Sequence, residues 1–181
     1  MRHSFHLPPN ARILITGAAG YVGQALVKVL AMSAPPSWQL VLTDTQTVAG
    51  AQSGANTQWV IGDLSDAQVC DALFERPVHA VLHLAGVMSG RTEQDVALGE
   101  RINLHASLDL LARCRAQFRQ GGPWVRWIMT SSIAVYGTPL PATLFSEVID
   151  RAVEQGVVLD AACVVVNLLL LPNQPEVYRA C

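Results

Sequence analysis

The octapeptide TGAAGYVG, Thr16 to Gly23, spaces three glycines three residues apart ahead of an apolar stretch with helical periodicity. Gly17 suits a tight turn, Gly20 lets a backbone approach a pyrophosphate, and Gly23 lets a helix pack closely on the preceding strand. The unpaired N–H groups at the start of that helix, from Tyr21 and Val22 onward, and the positive end of its dipole favour an anion. Asp44 ends the run QLVLTD, 21 residues after Gly23. A carboxylate there accepts hydrogen bonds from the ribose hydroxyls of an adenine dinucleotide. Its charge would face the extra phosphate of NADP, and no Arg follows it in TDTQTVAG, so the pattern favours NAD. The spacing is G-x-x-G-x-x-G rather than the common G-x-G-x-x-G. Glycine loop and acid therefore carry the argument together, against the plainer alternative of a Gly-rich turn with an incidental Asp.

Such residues need a scaffold that brings strand ends to one edge. From Ala11 the chain alternates short β-branched runs with longer amphipathic stretches, the rhythm of βαβ units. Strands are expected over 11–16, 39–44, 57–62, 79–85 and 124–131, each apolar enough to be covered on both faces. Helices are expected over 21–32, 65–75, 92–120 and 144–155, with Ser65 as the cap of the second and Pro77 as its stop. The implied fold is α/β, a Rossmann-type doubly wound parallel sheet with helices on both faces. Right-handed crossovers collect the carboxyl ends of the strands where open α/β sheets bind ligands.

The length, 181 residues, bounds the chain to one domain or one domain with a tail. Residues 1–10 read as a mobile lead-in without the apolar core of a secretory signal, 11–140 as the dinucleotide-binding domain, and 141–181 as a divergent tail. Within that tail the run VVLDAACVVVNLLLL (157–171) is too short and too interrupted for a membrane span. It could form a sixth, buried strand with an extension, an aggregation-prone segment, or a membrane contact. Hydrophobic residues make up 51% and charged residues 14%, with a net charge of -2. That composition builds a core and gives no basic tract for nucleic acid. Cys70, Cys114, Cys163 and Cys181 form no C-x-x-C pair, so buried thiols in a reducing cytoplasm are expected rather than zinc or a disulfide framework.

In order along the chain, TGAAGYVG, Asp44, GDLSD (62–66), HLAG (83–86), Asn103 and SSIAVYG (131–137) make it resemble the extended short-chain dehydrogenase/reductase family, the NAD-dependent sugar epimerases and dehydratases. The resemblance covers residues 11–137. The stretch 83–103, through Ser89, Gly90, Glu93, Asp95, Leu98 and Gly99, is similar to the branch that oxidises small sugar acids such as D-erythronate. The resemblance implies NAD as cofactor and a small sugar acid as substrate; no membrane partner is expected from the sequence, and a homo-oligomer is left open. It implies that Asp63 and Leu64 lie beside the adenine, with Asp63 accepting its amine; a turn cap near Ser65 is the alternative. Leu84, Ala85 and Gly86 would line the cofactor channel, Asn103 would order the site, and Ser89 and Gly90 would belong to the substrate loop. His83, inside an apolar strand, reads as a core histidine rather than a base.

The same resemblance exposes a gap in the chemistry. Ser132 would hydrogen-bond the reacting hydroxyl while a Tyr, helped by a Lys four residues on, takes its proton. A free phenol, with a pKa of about 10, is a poor base at neutral pH without that help. Tyr136 precedes the expected place, Tyr178 has no lysine after it, and Lys28, the only lysine, belongs to the first helix. Beyond Pro141 the pattern departs from the family, and a second, substrate-binding domain is not recognisable. The expectation is a cofactor-binding part with little or no turnover. The rivals are a regulatory dinucleotide-binding module and a fragment that folds poorly.

Overall fold

The computed structural model of the chain describes residues 7–48, 56–87, 94–131 and 164–168. Strand β1 (Arg12–Thr16) leads into helix α1 (Tyr21–Ser33), followed by β2 (Gln39–Asp44) and β3 (Thr57–Ile61). Helix α2 (Ala67–Leu73) precedes β4 (Ala80–His83). Next come α3 (Val96–Gly99), a π-helical stretch (Glu100–His105) and α4 (Ala106–Arg119). Strands β5 (Arg126–Ser131) and β6 (Val164–Leu168) complete the sheet. The expected helix over 144–155 lies outside the described residues.

The order across the sheet is β3-β2-β1-β4-β5-β6. Pairing from β3 through β5 is parallel, with Ile15 opposite Leu42 on one side and Leu82 on the other. This is the doubly wound Rossmann order. Strand β6 departs from the all-parallel expectation, because it runs antiparallel to β5 with Met129 opposite Val166. A parallel neighbour needs a long crossover that returns to the same edge, whereas an antiparallel one does not.

Alternation along the strands divides the core in two. Leu14, Val41, Val81 and Trp127 face α2 and α4, where Leu73, Leu110 and Cys114 meet them. Ile13, Ile15, Leu40 and Leu42 face the opposite way and meet Leu26, Val27 and Leu30 of α1. Both faces are thus covered. Cys70 and Cys114 are buried free thiols. Burial pushes Cys70 up to about 11 and Cys114 up to about 12, so neither is a nucleophile at neutral pH.

Three local expectations change. The cap of α2 is Asp66, whose carboxylate accepts the N–H of Gln68 at 2.8 Å. Ser65 is already committed, since its hydroxyl donates to Asp63 Oδ1. The same helix ends at Leu73, well before Pro77, where Arg12 closes it by donating to the carbonyls of Leu73 (2.8 Å) and Arg76 (2.7 Å). A charged residue on the central strand is tolerated because its guanidinium caps orphan carbonyls at a helix end. Finally, the single helix expected over 92–120 is broken by the π-helical stretch, where the Ala106 N–H reaches the Arg101 carbonyl five residues back.

Candidate functional site

Strands β1 and β4 are adjacent, with Thr16 opposite His83. Beyond them the chain turns to α1 on one face and to the segment 84–87 and the following helices on the other. The crevice at this divergence is where open α/β sheets take ligands. Gly17 sits in it with φ +68, and a Cβ there would lie 2.7 Å from the Ala85 nitrogen and the Leu84 carbonyl carbon. A Cβ on Gly23 would lie 2.2 Å from the Gly17 oxygen, so Gly23 sets how closely α1 packs on the loop. At Gly20 a Cβ would meet only the Gly17 oxygen, at 3.1 Å, and the space above the loop stays open. The three glycines thus divide into turn, open space above the loop, and helix packing.

Two bonds anchor the loop to β2. The Ala18 N–H donates to the Thr43 carbonyl at 3.1 Å, and the Ala19 N–H donates to Asp44 Oδ2 at 3.0 Å. Helix α1 has no side-chain cap and no acidic residue in its first turn. Its leading N–H groups and its dipole therefore face the crevice without a competing anion. Tyr21, 92% exposed, and the half-exposed Val22 stand at this helix start. A glycine cradle, an uncapped helix start and an acid at the end of β2 fit the diphosphate and ribose of a dinucleotide.

Asp63 follows β3, next to Asp44, whose carbonyl accepts the Gly62 N–H at 3.0 Å. Asp63 Oδ1 accepts both the N–H and the hydroxyl of Ser65 at 2.8 Å. The Ser65 N–H, then its hydroxyl and the Arg101 charge, hold the Asp63 carboxyl below its ordinary range against a smaller opposing effect of burial. It is a carboxylate at neutral pH and forms the local turn. Leu64 turns its side chain into the core beside Val41 and Cys70.

On the far side of the crevice, the segment after β4 is fastened at three residues. Leu84 N–H donates to the Thr16 carbonyl, and Ala85 N–H to Thr16 Oγ1, both at 3.2 Å. Asn103, on the π-helical stretch and exposed, accepts the Val87 N–H at 2.8 Å and donates to the Val87 carbonyl at 2.9 Å. Gly86 passes directly beneath, where a Cβ would lie 3.4 Å from Asn103 Oδ1. His83 is 2% exposed, bonded to Thr16 Oγ1 at 2.7 Å and Ser107 Oγ at 2.8 Å, with its ring against Trp127. Burial lowers its pKa to about 4, so the ring is neutral in ordinary buffers.

Gly17, Gly20, Gly23, Asp44, Leu84, Ala85, Gly86 and Asn103 thus gather at one sheet edge, with Asp63 beside them. Thr16 and Ser107 are the residues the sequence did not single out. Ser107, four residues after Asn103, bonds back to the Asn103 carbonyl, which is the signal that could have found it. Ser89, Gly90 and Ser132 lie outside the described residues. So do Tyr136 and Tyr178. Lys28 is exposed on the third turn of α1.

Fold and crevice define a Rossmann-type dinucleotide-binding domain. Residues 13–153 match the model of the NAD dependent epimerase/dehydratase family, and the chain belongs to that family. It is 39% identical over 137 residues to the D-erythronate dehydrogenase of Cupriavidus necator, a match covering 71% of this chain and 41% of that protein. Among solved structures, the nucleoside-diphosphate-sugar epimerase of Agrobacterium tumefaciens superposes with a TM-score of 0.61 at 32% identity, over 78% of this chain and 44% of that one. The uronate dehydrogenase of the same organism gives 0.54 at 26% identity, over 69% and 42%. The chain spans about two fifths of the length of the curated relatives it matches. No helix among the described residues is long and apolar enough to cross a membrane.

Proposed function

We propose that this chain binds NAD(H) at the β1–β4 crevice as the cofactor-binding part of a sugar-acid dehydrogenase, and that its 181 residues alone do not turn over substrate. The observation that carries the reading is the glycine loop tied by Ala19 to Asp44. Gly20 and the N–H groups of Tyr21, Val22 and Gly23 would hold the diphosphate. Asp44 would hold the adenosine ribose and disfavour NADP, and Asp63 the adenine amine, with Leu64 contributing main chain. Leu84, Ala85 and Gly86 would form the wall on the nicotinamide side, ordered by Asn103.

When bound, NAD supplies the hydride acceptor. Ser132 would orient the reacting hydroxyl of a small sugar acid, with Ser89 and Gly90 near it, consistent with relatives named for D-erythronate and uronate. Tyr136 has Leu140 rather than a lysine four residues on, and Lys28 is on the solvent side of α1, so neither forms the lysine-assisted proton acceptor. This favours binding without catalysis. Calorimetric titration with NADH together with a turnover assay on D-erythronate tests it. The expected result is saturable NADH binding and no NADH production from NAD; heat-silent titration of the folded chain would overturn it.

A further inference from the structure

We propose that Thr16, His83 and Ser107 form a buried positioning chain whose hydrogen-bond direction is set by the main-chain carbonyl of Asn103, and that it holds segment 84–87 in place for the nicotinamide half of the cofactor. The proposal rests on the dinucleotide reading above.

At one end, Thr16 Oγ1 accepts the Ala85 N–H and lies 2.7 Å from His83 Nδ1, to which its hydroxyl can donate. At the other, Ser107 donates to the Asn103 carbonyl at 2.9 Å, so its oxygen accepts from His83 Nε2. Only the neutral imidazole with its proton on Nε2 satisfies every member. The other tautomer strands the Thr16 hydroxyl proton and takes the Ser107 donor from Asn103. A doubly protonated ring strands the Thr16 proton as well. The chain therefore runs in one sense, from the Ala85 N–H through Thr16, His83 and Ser107 to the Asn103 carbonyl.

Both ends bear on the same wall. Thr16 holds Ala85, and the side chain of Asn103 holds Val87 by two bonds, so the segment is clamped on either side of the exposed Gly86. The π-helical stretch that carries Asn103 is tied by Ser107, through His83, to the end of β1 that opens the glycine loop. Thr16, His83 and Ser107 are at most 7% exposed and cannot touch a bound dinucleotide with their polar atoms, all of which are engaged within the chain. They act through the wall they hold.

The test separates the two halves of the cofactor. Thr16→Val keeps the side-chain shape and removes the hydroxyl, Thr16→Ser restores it, and Ser107→Ala cuts the chain from the other end. Dissociation constants for NADH and for ADP-ribose, which lacks the nicotinamide, are measured by calorimetry, with the fluorescence of bound NADH as a report on the nicotinamide environment. The expected result is a loss of about tenfold in NADH affinity in Thr16→Val and Ser107→Ala, the order of one hydrogen-bond network member. ADP-ribose affinity should stay within about twofold, and Thr16→Ser should recover both affinity and fluorescence. Equal weakening of both ligands, no weakening of either, or no rescue by serine would overturn the positioning role. If Thr16→Val does not fold, the Ser107→Ala comparison decides. Failure of the unaltered chain to bind either ligand would overturn the dinucleotide reading itself, and a chain that binds ADP-ribose but not NADH would overturn the wall's role alone.

Discussion

Asp44 Oδ2 accepts the main-chain N–H of Ala19 at 3.0 Å, across 25 residues of sequence. The acid that the sequence assigns to a ribose is thus also the brace of the loop that would hold the diphosphate. Its other oxygen makes only long contacts of 3.4 Å, to Thr45 and Gln46, and remains available. Asp44→Asn keeps an acceptor for Ala19 but loses the charge; Asp44→Ala loses both. NADH affinity is expected to fall by roughly 10- to 100-fold in the alanine variant, the range for hydrogen bonds to a charged group, and less in the asparagine variant. The preference for NADH over NADPH should narrow in both. Titration of both cofactors checks this, and an unchanged preference would assign the selection to another residue.

The glycines divide by what their substitution breaks. Gly17→Val must adopt a positive φ and force its Cβ against the backbone of Leu84 and Ala85. It is expected to lower stability by more than about 2 kcal/mol before any ligand is added. Gly20→Val meets only one oxygen at 3.1 Å and should fold, yet fill the space above the loop. A thermal melt paired with an NADH titration should show a lowered midpoint for the first variant, and a near-normal midpoint without binding for the second.

His83 gives the acid limb of stability a definite direction. Its folded pKa is about 4 against 6.5 for the free side chain. Between those values the unfolded chain binds the extra proton. The stabilisation is therefore complete above about pH 6.5 and is lost as pH falls toward 4, about 3 kcal/mol in all. His79, also lowered by burial, works in the same direction. Urea midpoints measured from pH 7.5 to 4.5 should fall less steeply in His83→Gln than in the unaltered chain; parallel curves would remove His83 from the account.

Turnover should be absent with D-erythronate and NAD. General-base assistance commonly contributes about 10² to 10⁴-fold, or roughly 3 to 5 kcal/mol of barrier, and neither Tyr21 nor Tyr136 has a lysine four residues on. NADH absorbance followed over hours should stay at the rate of the protein-free control. A rate within about tenfold of a full-length relative would require a base other than a lysine-paired tyrosine.

What the sequence disclosed was whatever depends on short-range pattern. Apolar runs with turn residues between them located β1 to β5 within two residues or so, and the glycine spacing located the loop. Elements governed by distant partners stayed hidden. The choice between Ser65 and Asp66 as the cap is an exception, since it turns on a close neighbour, Asp63, having engaged the serine hydroxyl, and residue type alone does not rank the two. The π-helical stretch carries Asn103, whose side chain is engaged by Val87, a contact made across the fold. The buried place of Arg12 depends on where α2 ends, and the antiparallel sense of β6 on a chain path that local pattern does not encode.

Three successive amides of the glycine loop, Ala18, Ala19 and Gly20, already have acceptors in Thr43, Asp44 and Gly17. The loop is therefore shaped before any ligand arrives, and a dinucleotide would not have to freeze it. Association should cost little conformational entropy, and the amides of Ala18 and Ala19 should exchange slowly with solvent deuterium in the ligand-free protein. Only the amides of the first helical turn should change their exchange on binding.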